Sequence, residues 1–413
     1  MKKITDAVLA GLVATAMCLV PEPATAVDGF ADDVAFMNAH TNIVLLHRGD
    51  AAVAGAPAYQ GRVMTSTFDR KAGPSFGWIN RPVIEQGFLS EDERQGKLEE
   101  HIHIFGGEER FWLGPEGGQY ALFFPPKSEF EFTNWVTPAA IDTEPFELVD
   151  HTEASAKFRH SARLTNYHGT VFQVGVERTV SLIDRDRVAK QLAAPIGPGL
   201  QLVAYETRNQ ITNDGPNAWK PETGLLSIWI LGMYKPSPET TIVIPFVAGP
   251  DEELGPTVND AYFGKVPPTY LRVDNERLFF RGDGTRRGKI GIHPLRSKGI
   301  AGSYDAAGKV LNLVTYNQQD APHGFVNSMW ELQDKPYAGD VIHSYNDGSP
   351  EPGKPPLGPF YELETSSPAA ALQPNESLHH VQRTYHIHGS EVELRPLAQH
   401  LLGVTLEEIE SAF

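Results

Sequence analysis

Three short stretches of this sequence carry ionisable groups at every second position. "HIHIF" (101–105) alternates His101 and His103 with isoleucine. "FYELETSSP" (360–368) alternates Glu362 and Glu364 with Tyr361 and Leu363, and "TYHIHG" (384–389) aligns Thr384, His386 and His388 against Tyr385 and Ile387. Successive side chains of a strand point to opposite faces, so each stretch has one polar and one apolar face. Adjacent in one sheet, the three polar strips would line a concave surface with imidazoles and carboxylates. Such a surface can move protons. Two His-x-His strands with Glu362 or Glu364 could also hold a divalent ion, zinc through imidazole or calcium through carboxylate, which leaves the cofactor open. The plain alternative is that these groups are solvated on an outer sheet face.

Two further stretches have the chemistry of a sugar site. "VNSMWELQDKPYAGDVIHSYNDG" (326–348) interleaves Trp330, Tyr337 and Tyr345 with Glu331, Asp334, Asp340, Asn346 and Asp347. "FGGEERFWLGPEGGQYALFF" (105–124) places Glu108, Glu109, Arg110, Trp112 and Glu116 around a glycine-hinged corner. Aromatic rings cover the apolar faces of a sugar, while carboxylates, amides and arginine satisfy its hydroxyls. On this reading the corner is an edge that presents Trp112 and its carboxylates, and "QYALFF" is the strand that anchors it. The alternative is a charged pair, Glu109 with Arg110, that only holds a corner in place. The basic segment "GDGTRRGKIGIHPLRSKG" (282–299) lacks a GxxxxGK[ST] pattern, which excludes a nucleotide loop of that type.

The elements that position these groups are mostly strands. Short runs rich in Val, Ile, Thr, Phe and Tyr recur along the chain, bounded by turn residues, among them "GRVMTSTF" (61–68), "GTVFQVGVERTVSLI" (169–183) and "GLLSIWILGMY" (224–234). Few helices are expected: 30–40, a polar turn or two at 90–100, and a short amphipathic pair at the end with Thr405 as N-cap. So many strands without intervening helices imply an all-β fold of antiparallel sheets packed face to face. The proline-rich stretch 349–359 reads as a long loop, and 27–413 as one domain.

The chain has 413 residues, 41% of them hydrophobic, which is enough for a large core. A formal net charge of -17 argues against nucleic acid and anionic lipid as partners. Lys2 and Lys3, an apolar run to Val20 and Ala24-Thr25-Ala26 read as an export signal over residues 1–26, implying a periplasmic or secreted protein. The only cysteine, Cys18, lies inside that segment; lipid attachment there is the less favoured alternative, because Met17 precedes it. No later stretch is apolar enough to span a membrane.

"ETRNQITNDGPNAWKPETGLLSIWILGMY" (206–234) and "LQPNESLHHVQRTYHIHG" (372–389) resemble strands of the galactose-mutarotase-like superfamily. "FGGEERFWLGPEGGQ", "HSYNDG" and "LGPFYELETSSPA" resemble uncharacterised secreted bacterial proteins described as candidate glycoside hydrolases of that fold. The resemblance implies a supersandwich of large antiparallel sheets with a sugar groove on a concave sheet. It also implies a histidine acid and a glutamate base, as in mutarotases, with Glu362 or Glu364 at the matching late strand. The usual histidine after the middle Asn turn is missing here, where Trp219 and Trp229 stand, so His101, His103 or His386 would have to supply the acid. The leading expectation is an exported glycoside hydrolase or related enzyme acting on a carbohydrate. Its catalytic candidates are Glu362 as base or nucleophile, Glu109 or Glu116 as partner, and Glu364. Its binding candidates are Trp112, Arg110, His101, His103, Trp330, Glu331, Tyr345, Asn346 and His386. The alternatives are a carbohydrate-binding protein without turnover and a metal-stabilised surface protein. Oligomeric state is open.

Overall fold

The structure, a computed structural model, describes residues 29–350 and 353–413. The expected export segment and Cys18 lie outside the described residues. In chain order the strands are β1 (Val44–Arg48), β2 (Ala51–Ala56), β3 (Arg62–Thr67), β4 (Glu109–Gly114), β5 (Glu147–His151) and β6 (Ser155–Thr165). They continue as β7 (Val171–Leu182), β8 (Gln201–Asn213), β9 (Ser227–Tyr234), β10 (Thr240–Pro245), β11 (Leu271–Asp274) and β12 (Arg277–Arg281). The last six are β13 (Gly288–Ile292), β14 (Ile300–Asp305), β15 (Val310–Tyr316), β16 (Ile342–Asn346), β17 (Tyr361–Ser366) and β18 (Ser377–His388).

They form two sheets. One has 8 strands in the order β1-β2-β3-β4-β9-β17-β16-β13, and the other has 10 in the order β11-β12-β10-β14-β15-β18-β8-β7-β6-β5. The pairing between these strands is antiparallel throughout. The fold is therefore the all-β sandwich expected from the sequence. β7 shows why: Phe172, Val174, Val176, Val180 and Leu182 are buried, and the residues between them are more open. That period-2 pattern turns one face to the opposing sheet.

β9 and β17 break the pattern, because every residue in both is buried. A strand buried on both faces must be covered on its outer side as well. Loops supply that cover over the 8-stranded sheet, and the site lies under them. The outer face of the 10-stranded sheet is covered differently. The helices Glu391–Leu402 and Leu406–Glu410 lay Leu394, Leu397, Leu402, Leu406 and Ile409 against Leu311, Leu313, Tyr385 and Ile387. Each such burial contributes about 1.5–3 kcal/mol before the cost of ordering the chain. Thr405 caps the last helix, its hydroxyl accepting from the Glu408 amide at 3.2 Å. The helix Phe30–His40 also matches the expected span.

Two expected strands are absent. "HIHIF" forms no ladder: its backbone is tied by loop bonds, with the His103 amide donating to the Asp142 carboxylate (3.1 Å) and the Thr137 amide to the His101 carbonyl (2.9 Å). "QYALFF" is buried but turned, because the Leu122 amide donates back to the Pro115 carbonyl at 3.0 Å. The strand at this corner is β4, one segment earlier. Gly107 makes the corner feasible: its φ is +110°, and a Cβ there would sit 2.4 Å from Arg62 Cδ.

Candidate functional site

Strand register assembles the floor of the site. In β4, Arg110 lies opposite Leu231 of β9, and Leu231 lies opposite Glu364 of β17. Glu362 lies opposite Met233 on one side and Tyr345 of β16 on the other, and Tyr345 lies opposite Lys289 of β13. Because alternation has a period of two, all these side chains share the outer face of the 8-stranded sheet. Their chain neighbours Glu109, Tyr361 and Leu363 point into the sandwich.

The walls are loops. Glu116 and Trp330 come from two loops clasped together, with Gln119 Nε2 donating to the Gln333 carbonyl (2.8 Å) and the Gln333 amide donating to Gln119 Oε1 (3.0 Å). Gly117 permits the clasp, since a Cβ there would lie 2.3 Å from the Met329 carbonyl oxygen. Trp135 stacks on Trp330 (centroids 6.1 Å apart) and on Phe132 (5.9 Å). Trp112 packs edge-on against Trp229 at 5.5 Å. These rings line an open-mouthed cavity.

Its carboxylates differ in their partners. Glu362 Oε1 accepts from Arg110 Nη2 at 2.7 Å, and the same guanidinium lies 4.3 Å over the Trp112 ring. Burial pushes the Glu362 carboxyl up to about 7; Arg110 opposes the rise and Glu364 adds to it. Glu364 Oε2 accepts from Trp229 Nε1 (2.8 Å) and Lys289 Nζ (3.1 Å), behind the cavity wall. Glu116 Oε1 accepts from the neutral indole of Trp135 at 3.0 Å. Burial raises its pKa too, against the pull of Lys289. Glu116 is the one of the three that keeps a partly open surface. Tyr345 donates to Asp347 (2.9 Å), which also accepts from the Gly358 amide (2.8 Å) and so ties the loop carrying Phe360 to the sheet.

The cavity thus gathers Arg110, Trp112, Glu116, Trp330, Tyr345 and Glu362 of the residues expected at the site. Glu364 stands directly behind it. The others lie elsewhere. Glu109 faces the sandwich interior, bonded to Arg178 (2.9 Å) and Gln382 (3.1 Å), so its placement opposite Glu362 is corrected. His386 is also interior, with Nε2 at 2.7 Å from Glu108 and Nδ1 at 2.6 Å from Asn312. His103 pairs with Asp142 at 3.1 Å, and His101 braces the wall through the Trp135 carbonyl at 2.7 Å. Ile102 and Ile104 line the cavity in their place. Glu331 is exposed, and Asn346 turns inward to hold the 283–286 loop, accepting from the Gly284 amide at 2.8 Å. The three polar strips therefore do not form one surface. Residues not singled out as candidates include Lys289, Arg287, Trp135, Phe132 and Phe263; the basic run 282–299 was the visible signal for the first two. Among the described residues no group of three or more His, Cys, Asp or Glu is arranged to hold a metal ion. No described helix is long and apolar enough to cross a membrane.

The fold and site define a two-sheet β-sandwich with an aromatic, carboxylate-bearing cavity on one outer face. The chain belongs to the family of unknown function DUF6786, which matches residues 28–413. No curated protein matches its sequence. Solved structures similar to it include a candidate aldose 1-epimerase from Escherichia coli K12, 12% identical, covering 84% of this chain and 99% of that one with a TM-score of 0.47. Another is a galactose mutarotase-like protein from Lactobacillus casei, 10% identical, covering 84% and 100% with a TM-score of 0.46. A third, from Synechocystis sp. PCC 6803, is 12% identical and covers 85% and 96% with a TM-score of 0.47.

Proposed function

We propose that the cavity binds a saccharide and that the protein hydrolyses a glycosidic bond in it. The observation that carries this reading is the presence of two carboxyl groups, Glu116 and Glu362, in one aromatic-walled cavity but in unlike settings. Trp330, Trp135 and Phe132 offer flat apolar platforms for sugar rings. Glu116, held by a neutral indole and raised by burial, suits the general acid that protonates the leaving oxygen. Glu362, fixed by the Arg110 guanidinium, suits the base or nucleophile. A histidine–glutamate mutarotase pair is less well supported, because among the described residues no histidine lines this cavity. Export through residues 1–26 belongs to the same proposal.

The test is product analysis by NMR after incubating the protein with a panel of oligosaccharides, beside E116Q and E362Q. The expected result is release of a reducing sugar that both variants lose. Binding of sugars with no turnover at any pH would replace hydrolysis with a carbohydrate-binding role. No binding at all would remove the sugar reading.

A further inference from the structure

The cations of the cavity do not balance its carboxylates evenly. Arg110 is neutralised by Glu362 at 2.7 Å and Lys289 by Glu364 at 3.1 Å. Arg287 also lines the cavity, and no hydrogen bond or ion pair engages its guanidinium among the described residues. Its Nε is buried without a partner. The guanidinium lies flat on Phe263, with Cζ 3.9 Å from the ring centroid. Stacking fixes the plane of the group and leaves its N–H edge free to donate. Arg287 reaches the site because it shares a face with Lys289, two residues on, at the start of β13. Asn346 pins the preceding loop, accepting from the Gly284 amide (2.8 Å) and donating to the Arg286 carbonyl (3.1 Å). The chain as a whole carries a net charge of -17, so an unmatched, preoriented cation inside this cavity is a local departure from its surroundings.

A buried donor left unpaired costs free energy until a ligand satisfies it. A neutral sugar hydroxyl would satisfy only part of a planar guanidinium fork. A carboxylate or an ester oxyanion matches it with two parallel bonds. We propose that the saccharide taken by this cavity carries an anionic group, a carboxylate or a phosphate or sulfate ester, that pairs with Arg287. The proposal rests on the sugar reading above and narrows it to acidic sugars. Glu116 sits in the same cavity, but its carboxylate is engaged by the Trp135 indole at 3.0 Å and not by Arg287.

The test is calorimetric titration with matched sets: glucose, glucuronate and glucose 6-phosphate; galactose, galacturonate and galactose 6-phosphate. Each set is run on the wild type, R287Q and R287K. The expected result is that one anionic member binds wild type at least roughly tenfold tighter than its neutral parent. R287Q should bring the two within about twofold, and R287K should fall between, with melting temperature unchanged in both. Preference for the uronates assigns a carboxylate, and preference for the 6-phosphates assigns an ester. Equal or tighter binding of the neutral sugars overturns this inference while leaving the sugar reading standing. An anionic preference that survives in R287Q also overturns it. No binding by any member, neutral or anionic, overturns both.

Discussion

Glu109 and Arg110 are adjacent in β4, and each ends in a buried ion pair, but the pairs lie on opposite faces of one sheet. Inside the sandwich, both carboxylate oxygens of Glu109 are used, one by Arg178 (2.9 Å) and one by Gln382 (3.1 Å). Arg178 is also bonded to Asn209 (2.5 Å) and to the Gly61 carbonyl (3.0 Å). Thr365, the inward neighbour of Glu364, joins the same region through His380 and Gln382, at 2.7 Å each. On the outer face, Arg110 and Glu362 form an equally short pair but line an open cavity, and Arg110 Nε has no partner. The interior pair is closed, and the outer pair is unfinished. Burial alone therefore does not separate the two faces of this sheet; burial beside unfilled space does.

The largest effect expected from that contrast is on folding. Removing one member of a closed pair strands the other charge, which costs about 3–5 kcal/mol. R178M should lower the unfolding free energy by that amount in urea titration, while R178M/E109L should recover most of the loss. A single variant as stable as wild type would show that the interior pair does not hold the sheets. E116Q should behave in the opposite way. Its stability should stay within about 0.5 kcal/mol of wild type, while turnover falls roughly 10²-fold or more. A loss of stability comparable to that of R178M would move Glu116 to the structural side of the comparison.

The sequence showed one half of this contrast. Period-2 alternation correctly paired Glu362 with Glu364, and Thr384 with His386. It could not say which face meets solvent, because β9 and β17 are covered on both sides. Thr384 and His386 thus turned out to face the interior, where His386 stacks on Phe76 at 4.2 Å. "HIHIF" has the alternation of a strand without its partner, since Asp142 takes the amide that a ladder would need. There the apolar residues, not the histidines, reach the cavity. Trp330 and Glu116 were legible as sugar-site chemistry, but their meeting depends on the Gln119–Gln333 clasp between segments over 200 residues apart. Arg287 and Lys289 stood in a visibly basic run. That run lacks a phosphate-loop pattern, and the placement of its strand at a sheet edge has no comparable sequence signature.

A smaller effect should come from the cavity wall. Trp330 is half-buried and faces Trp135 across the mouth. W330A should weaken sugar binding by about 1 kcal/mol, roughly fivefold in Kd, with little change in stability. Unchanged affinity in calorimetry would mean that the sugar rests on other rings.

The finest test concerns pH, where the outer pair should titrate. Burial is the main cause that brings Glu362 to about 7, with Arg110 lowering it and Glu364 raising it. A base must be ionised, so kcat/KM should rise as pH increases through about 7. Stability should run the other way. The folded chain holds this proton more tightly than the unfolded one, so the Glu362 contribution is complete below the ordinary carboxylate range and lost as pH rises to about 7. E364Q keeps acceptors for Trp229 and Lys289 but removes the neighbouring charge, so it should move the acid limb of kcat/KM to lower pH. The same variant should leave the urea midpoint of R178M unchanged relative to its own background, since the interior pair lies across the sheet. An acid limb that stays put in E364Q would mean that Glu362 does not set it, and that the unfinished face of the sheet does its chemistry through another group.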